Sequence, residues 1–313
     1  MTTSFYSHGK LLITGEYAVL DGALCLALPT KKGQSLEVED HSDGDTLIWT
    51  SLDHEGSVWF ETKIVVDVAS AKFSIRTPAT KLPETTLKNE ETLLSILRAA
   101  VELNPAFLQE LKGKKVVTKL EFPENWGLGS SSTFINNVAQ WAQVDAFQLL
   151  WQGFSGSGYD IACAQNDSPI LYSVKDLKPK IIPITFHPPF KTQLYFVHLN
   201  QKQNSREGIS HYRSRAFDRS KLVAKVSKLT QSIQVARNLS EFEKILNEHE
   251  ETLGEALGQL PVKKRLFKDY SGAVKSLGAW GGDFVLVTGD QDSKTYFENK
   301  GFKTIIDFDT MIL

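Results

Sequence analysis

The chain has 313 residues, past the size at which a single core usually stops growing, so two packed domains of ordinary size are expected. Its 41% hydrophobic and 23% charged residues exclude a disordered chain, and a formal charge of -2 gives no bulk case for nucleic-acid binding. No run approaches the roughly 20 apolar residues that span a bilayer and the first residues lack a signal-peptide layout, so the expectation is a cytoplasmic protein with no membrane or nucleic-acid partner.

Residues 11–13, 24–28, 35–39, 46–51 and 57–62 are short apolar runs, broken by turn signals such as Asp43-Gly44-Asp45, and they predict strands of an antiparallel sheet. From 90 to 111, Leu93, Leu94, Ile96, Leu97, Ala100 and Val101 recur at helical spacing until Asn104-Pro105 interrupts, which predicts a helix followed by a shorter one. A strand over 116–122 then runs into a glycine-serine loop and a helix carrying Phe134, Val138, Trp141 and Ala142. Further helices are expected at 145–152 and 161–165, and strands at 169–174 and 180–186. His187-Pro188-Pro189 can continue neither a helix nor a central strand, so the domains are drawn as 1–188 and 189–313. The second half reads as a strand at 193–199, helices at 221–238, from 240 and through Tyr270, a strand at 284–288, a helix at 293–300 and a strand at 303–308, with Ser240 and Glu243 as a capping box. This irregular alternation predicts an α+β fold rather than a doubly wound parallel sheet. Cys25 and Cys163 make neither a CxxC pair nor a zinc spacing, and read as half-buried small apolar residues in a reducing interior.

Four segments carry chemistry. Gly127-Leu128-Gly129-Ser130-Ser131-Ser132 stands between a strand and a helix, where glycines let the backbone approach a ligand and the helix start offers unpaired N–H groups to an anion. Three serines add hydroxyls for phosphate oxygens or for magnesium, which takes hard oxygen ligands. On composition alone a surface turn explains the loop equally well, and it is neither a Walker A loop nor a GxGxxG site. Gly156-Ser157-Gly158-Tyr159-Asp160 sets a carboxylate where a turn enters a helix, as a general base or as a simple N-cap. Gly278-Ala279-Trp280-Gly281-Gly282-Asp283 has more glycines than a tight turn needs, so something must approach its backbone. Residues 9–17 put Lys10 and Glu16 at opposite ends of a short strand, where two surface charges are the plain alternative.

In this order, the four segments resemble the motifs of the GHMP kinases, over nearly the whole chain, and Gly158-Tyr159-Asp160-Ile161-Ala162 is the signature of a subgroup named for it. The resemblance implies two domains, an N-terminal α/β sandwich with a left-handed βαβ crossover and a ferredoxin-like C-terminal domain. It implies ATP and Mg2+ as cofactors, with Gly127, Leu128, Gly129, Ser130, Ser131 and Ser132 around the phosphates and Ser131 as a metal ligand. Asp160 would take the proton of the attacking hydroxyl and Lys10 would lower that hydroxyl's pKa or steady the developing charge, while Glu16, Tyr17, Ser157, Gly158, Ser205, Gly278, Gly281 and Gly282 would face the substrate. Phosphoryl transfer rests on positioning and charge neutralisation, so these roles cohere. Two departures stand out: residues 147–152 offer no acid where mevalonate kinases keep a magnesium-holding glutamate, and Trp280 replaces a small residue.

Gly15-Glu16-Tyr17-Ala18-Val19 looks more like phosphomevalonate kinases than mevalonate kinases. Between His198 and Arg237 nine Lys or Arg face only Glu207 and Asp218, which would favour an anionic acceptor or simply form a solvated helix face. The expectation is a kinase acting on phosphomevalonate or mevalonate for isoprenoid precursors, as a monomer or homodimer. A decarboxylase acting on diphosphomevalonate and a nucleotide-binding homologue without turnover are the alternatives.

Overall fold

The short apolar runs of the first half merge into longer strands than their turn signals imply. The computed structural model describes residues 2–42, 44–69, 72–75 and 83–313, so Asp43 of the expected turn lies outside the described residues. Strand β1 spans Thr3–Thr14 and β2 spans Cys25–Asp40, so the runs at 24–28 and 35–39 are one strand. Gly33 lies inside it, where a Cβ would meet the Ser7 carbonyl at 2.1 Å: the glycine marks a close approach. There follow β3 (Thr46–Leu52), β4 (Val58–Asp67), β5 (Lys72–Ile75), α1 (Glu84–Leu103), α2 (Phe107–Glu110), β6 (Lys114–Leu120), α3 (Ser130–Ala142) and α4 (Ala146–Gly153).

The chain divides into two compact units, one made of Met1–His8, Lys32–Glu124 and Gly129–Gly156, the other of Gly9–Lys31, Asn125–Leu128 and Ser157–Leu313. Neither is continuous in sequence. In the first unit β4 is antiparallel to β3 and β5, and the second part of β2 is antiparallel to β6. β3 and β6 are parallel, and β4, β5, α1 and α2 supply the long crossover that parallel neighbours need. Alternation along β3 buries Leu47 and Trp49, and Trp49 meets Phe134 of α3 edge-on at 5.6 Å.

In the second unit the start of β2 pairs antiparallel with β7 (Ile170–Lys175), which pairs with β8 (Lys178–Pro183); α5 (Tyr159–Ala164) precedes them. Then come β9 (Leu194–His198), α6 (Ser205–Ser214), α7 (Arg219–Gln234), α8 (Leu239–Leu257), α9 (Val262–Leu266), β10 (Val274–Ser276), β11 (Phe284–Thr288), α10 (Asp292–Asn299), β12 (Ile305–Asp307) and α11 (Phe308–Met311). The last four strands pair in the order β10-β11-β9-β12, every neighbour antiparallel, which is the split βαβ arrangement of a ferredoxin-like sheet. Together the units make a mixed α+β protein.

Helix α6 escapes sequence reasoning because it buries only Tyr212 and so has no apolar stripe. The cap of α8 is Asn238, whose side chain accepts from the Glu241 amide at 2.9 Å while the Glu241 carboxylate accepts from the Arg237 amide at 3.0 Å. The box therefore sits two residues before the expected Ser240 and Glu243, and Glu243 accepts from the Thr288 hydroxyl instead. The helix expected through Tyr270 ends at Leu266. Cys25 and Cys163 are free and wholly buried, not half-buried. Among the described residues no helix is long and apolar enough to cross a membrane.

Candidate active site

Lys10 leaves β1 with its ammonium 3.4 Å from Asp160 Oδ1, and the two side chains keep 12% and 29% of their surface. Gly158, at φ 85°, holds the N-cap position of α5, so Asp160 in the first turn is not a cap and that alternative falls. Next to it Tyr159 is half-buried: burial, then the charge of Asp160, pushes its phenol well above the ordinary range, and its ring lies 5.4 Å from the Lys10 ammonium. Ser157 is buried and its carbonyl accepts from the Tyr172 hydroxyl at 2.5 Å, so Ser157 and Gly158 shape the turn that presents the acid.

The glycine-serine loop is anchored piece by piece in the second unit. The His198 ring nitrogen lies 3.1 Å from the Asn125 carbonyl, Trp126 meets Phe284 edge-on at 5.4 Å, and the Leu128 carbonyl accepts from the Lys10 amide at 2.9 Å. Lys10 therefore holds the loop with its backbone and the acid with its side chain. In the first unit Gly129, at φ 92°, is the N-cap of the 13-residue α3 and no side chain caps that helix. An uncapped helix start behind a left-handed glycine suits a phosphate. Ser131 is exposed, whereas the Ser132 hydroxyl turns back onto the Gly129 carbonyl at 3.0 Å, contrary to its expected place around the phosphates. Among the described residues no three Asp, Glu, His or Cys gather as a metal-ligating cluster.

What approaches the third glycine segment is mostly the chain itself. A Cβ on Gly282 would lie 2.0 Å from Gln203 Cγ, and Gly281 gives its carbonyl to the Arg265 guanidinium at 3.0 Å. Only Gly278 (φ 63°) faces the candidate chemistry, with its would-be Cβ 3.7 Å from the Lys10 ammonium. Asp283, which sequence reasoning gave no role, has φ 50° and accepts from the Gln203 amide at 3.1 Å. A Cβ on Gly127 would lie 2.3 Å from its Oδ2, so this carboxylate fixes why residue 127 is glycine. Burial raises the Asp283 carboxyl, against the pull of Lys10, His198 and Lys202.

Glu16, expected to face substrate, is instead sealed. Its carboxylate binds the buried Lys275 ammonium, which also lies 3.3 Å from Glu250 Oε1. Glu250 accepts from the Ser276 amide and hydroxyl, both at 3.1 Å, and from the Trp280 indole at 2.9 Å. His249 Nε2 accepts from the Gly15 amide at 3.0 Å, which fixes a neutral ring with its proton on Nδ1. Burial pushes Glu16 up to about 7 against the pull of Lys275, raises Glu250, and drives His249 well below its usual range. Glu16 Oε2 and His249 Nδ1 have no hydrogen-bond partner. The plain alternative of two surface charges fails at both ends of the segment. Sequence reasoning missed Lys275, His249 and Glu250, whose only signal was charge at positions otherwise spaced for a core.

Tyr17 (φ 57°) accepts from the Trp280 amide at 3.2 Å and stacks on Tyr212 at 5.7 Å. Trp280 is buried and bonded on its indole nitrogen, so its bulk belongs to the core beneath the glycines. Ser205 is exposed at the first position of α6, after the N-cap Asn204. The positive excess after His198 is partly consumed by the fold: Arg213 and Arg219 pair with Asp21 at 2.5 and 3.0 Å.

No family model matches the chain, and no curated protein matches it in sequence. Solved structures do match. The Methanococcus jannaschii mevalonate kinase aligns with 97% of this chain and 96% of its own at 13% identity and a TM-score of 0.65. The Streptococcus pneumoniae phosphomevalonate kinase, in complex with phosphomevalonate and AMPPNP, aligns with 95% of each chain at 16% identity and a TM-score of 0.66. The Lactococcus lactis galactokinase, complexed with galactose, aligns with 98% of this chain and 94% of its own at 14% identity and a TM-score of 0.63. With an α+β architecture and near-complete coverage of kinases with different acceptors, the chain has the GHMP kinase fold.

Proposed function

We propose that the protein transfers the γ-phosphoryl group of ATP to a hydroxyl of a small acceptor. One observation carries the reading: Lys10 joins the glycine loop and the acid, its amide 2.9 Å from the Leu128 carbonyl and its ammonium 3.4 Å from Asp160. Asp160 accepts the proton of the acceptor hydroxyl, that oxygen forms the new bond to phosphorus, and the bond from phosphorus to the bridging oxygen of ADP breaks. Lys10 offsets the negative charge that gathers in the transition state. The open N-terminus of α3 and the backbone of Gly127 and Gly129 suit the nucleotide phosphates, and the exposed Ser131 hydroxyl is a hard donor of the kind magnesium takes. Magnesium, when bound, would neutralise phosphate charge.

The motif form in residues 9–17 favours phosphomevalonate or mevalonate as the acceptor, and the likeness to kinases of both names and to a galactokinase supports small-molecule phosphotransfer in general. The test is incubation with magnesium-ATP and mevalonate, phosphomevalonate, galactose and homoserine separately, followed by ADP assay and mass analysis of each acceptor. One acceptor is expected to gain a phosphoryl mass, and Asp160→Asn to abolish that gain. Equal ADP production with and without every acceptor would overturn the reading.

A further inference from the structure

Beside the third glycine segment the second unit forms a half-open cavity of about 530 Å3, within the usual range of small-ligand sites. Ala279 and Trp280 form part of its wall, one residue beyond the Gly278 that abuts Lys10. Tyr17 closes the same side, its hydroxyl accepting from the Trp280 amide so that its own proton is left to donate. Helix α6 forms another wall and comes in close because residue 208 is glycine: a Cβ there would lie 2.3 Å from the Tyr17 oxygen.

The polar lining is balanced in charge. Glu207 supplies one carboxylate, steadied by the Asn204 side-chain amide at 2.7 Å. Arg265 supplies one guanidinium, already donating to Gly281 at 3.0 Å. Gln203 and Gln259 add neutral amides, and His211 is held by the Leu257 carbonyl at 2.8 Å. None of the nine Lys and Arg between His198 and Arg237 lines it. A phosphorylated acceptor carries close to two negative charges and calls for several converging cations with no acid among them. Hydroxyl groups, each both donor and acceptor, match amides, a carboxylate and a phenol, and the apolar face of a sugar ring matches the half-buried Tyr17 ring.

We infer that this cavity is the acceptor pocket and that it takes an uncharged polyhydroxylated molecule of monosaccharide type, in place of the phosphorylated acceptor the motifs favour. The inference rests on the phosphotransfer reading only for what happens to the bound acceptor; occupancy of the cavity is a separate matter. Calorimetric titration of the nucleotide-free protein with galactose, glucose, myo-inositol and phosphomevalonate separates the two. At least one unphosphorylated polyol is expected to bind more tightly than phosphomevalonate. Glu207→Lys, on an exposed stretch of α6, and Gln259→Ala are each expected to weaken that polyol roughly ten-fold, the size of a lost hydrogen bond in a ligand site, and Glu207→Lys to tighten phosphomevalonate. ATP binding should stay unchanged in both. Preference for phosphomevalonate in the wild type, no binding by any of the polyols, or polyol binding untouched by both variants would overturn the inference. Polyol binding without any phosphoryl transfer would instead leave the pocket standing and remove the kinase reading.

Discussion

Lys10 and Glu16 sit six residues apart in one segment and each meets an opposite charge, yet the two pairs behave as different kinds of object. Lys10–Asp160 stays in touch with water, so its attraction is screened and adds little to the fold. Glu16–Lys275 is wholly enclosed with Glu250 and His249, where desolvation is severe and loss of one partner leaves a charge stranded. Solvent access, not charge type, divides them. An open pair keeps its charges within reach of solvent; a sealed one locks the Glu16 segment to β10.

The sharpest way to break this contrast is to neutralise one member of each pair. Asp160→Asn is expected to lower kcat by about 10²- to 10⁴-fold, as loss of a general base does, and to cost no more than about 1 kcal/mol of stability, as loss of a partly solvated ion pair does. Kinetics with the acceptor and a urea transition check both halves. Lys275→Met should invert the outcome, costing about 3–5 kcal/mol in the same transition, because it leaves Glu16 and Glu250 buried without a counter-charge. If the two variants gave similar losses of stability, the distinction between an open and a sealed pair would be wrong.

Acid titration sharpens the sealed side. Burial moves the Glu16 carboxyl from 4.5 to about 7, so the folded protein holds that proton more tightly than the unfolded chain. Its contribution to stability is complete below about 4.5 and is lost as pH rises through 7. Subtracting the stability of Glu16→Gln from that of the wild type at each pH should give a difference that falls across this window, at no more than about 1.4 kcal/mol per pH unit. A flat difference would mean that Glu16 is ionised throughout and that Lys275 outweighs burial.

How much was legible follows the same line. Motif order singled out Lys10, Asp160 and the glycine loop, which meet at Lys10, because left-handed glycines and a helix start leave local marks in sequence. The strand-loop-helix around Gly129 and the break at Asn104 were read for the same reason. The burial of Glu16 has no such mark, because its partner Lys275 is 259 positions away and no local pattern says that a charge is buried. Gly281 and Gly282 were rightly read as close approaches, but what approaches comes from Gln203 and Arg265, which only the fold supplies. The parallel β3–β6 ladder was lost likewise, since strand direction is set by the crossover and not by alternation.

Asp283 falls between the two pairs, buried like Glu16 but under the pull of Lys10, and the smallest prediction concerns its neighbour. Gly127 has φ 65° and no room for a Cβ, because Asp283 Oδ2 would lie 2.3 Å away. Gly127→Ala is expected to cost about 1–2 kcal/mol from backbone conformation alone, plus whatever is needed to move Asp283. Asp283→Ala in the same chain removes the second part and leaves the first. The double variant should therefore be more stable than the two single losses added together predict. With kinetics measured alongside, the KM for ATP should rise in Gly127→Ala and partly recover in the double variant, since the loop and the Asp283 carboxylate compete for one space. Strict additivity in both measurements would show that Asp283 merely lies next to the loop and does not hold it.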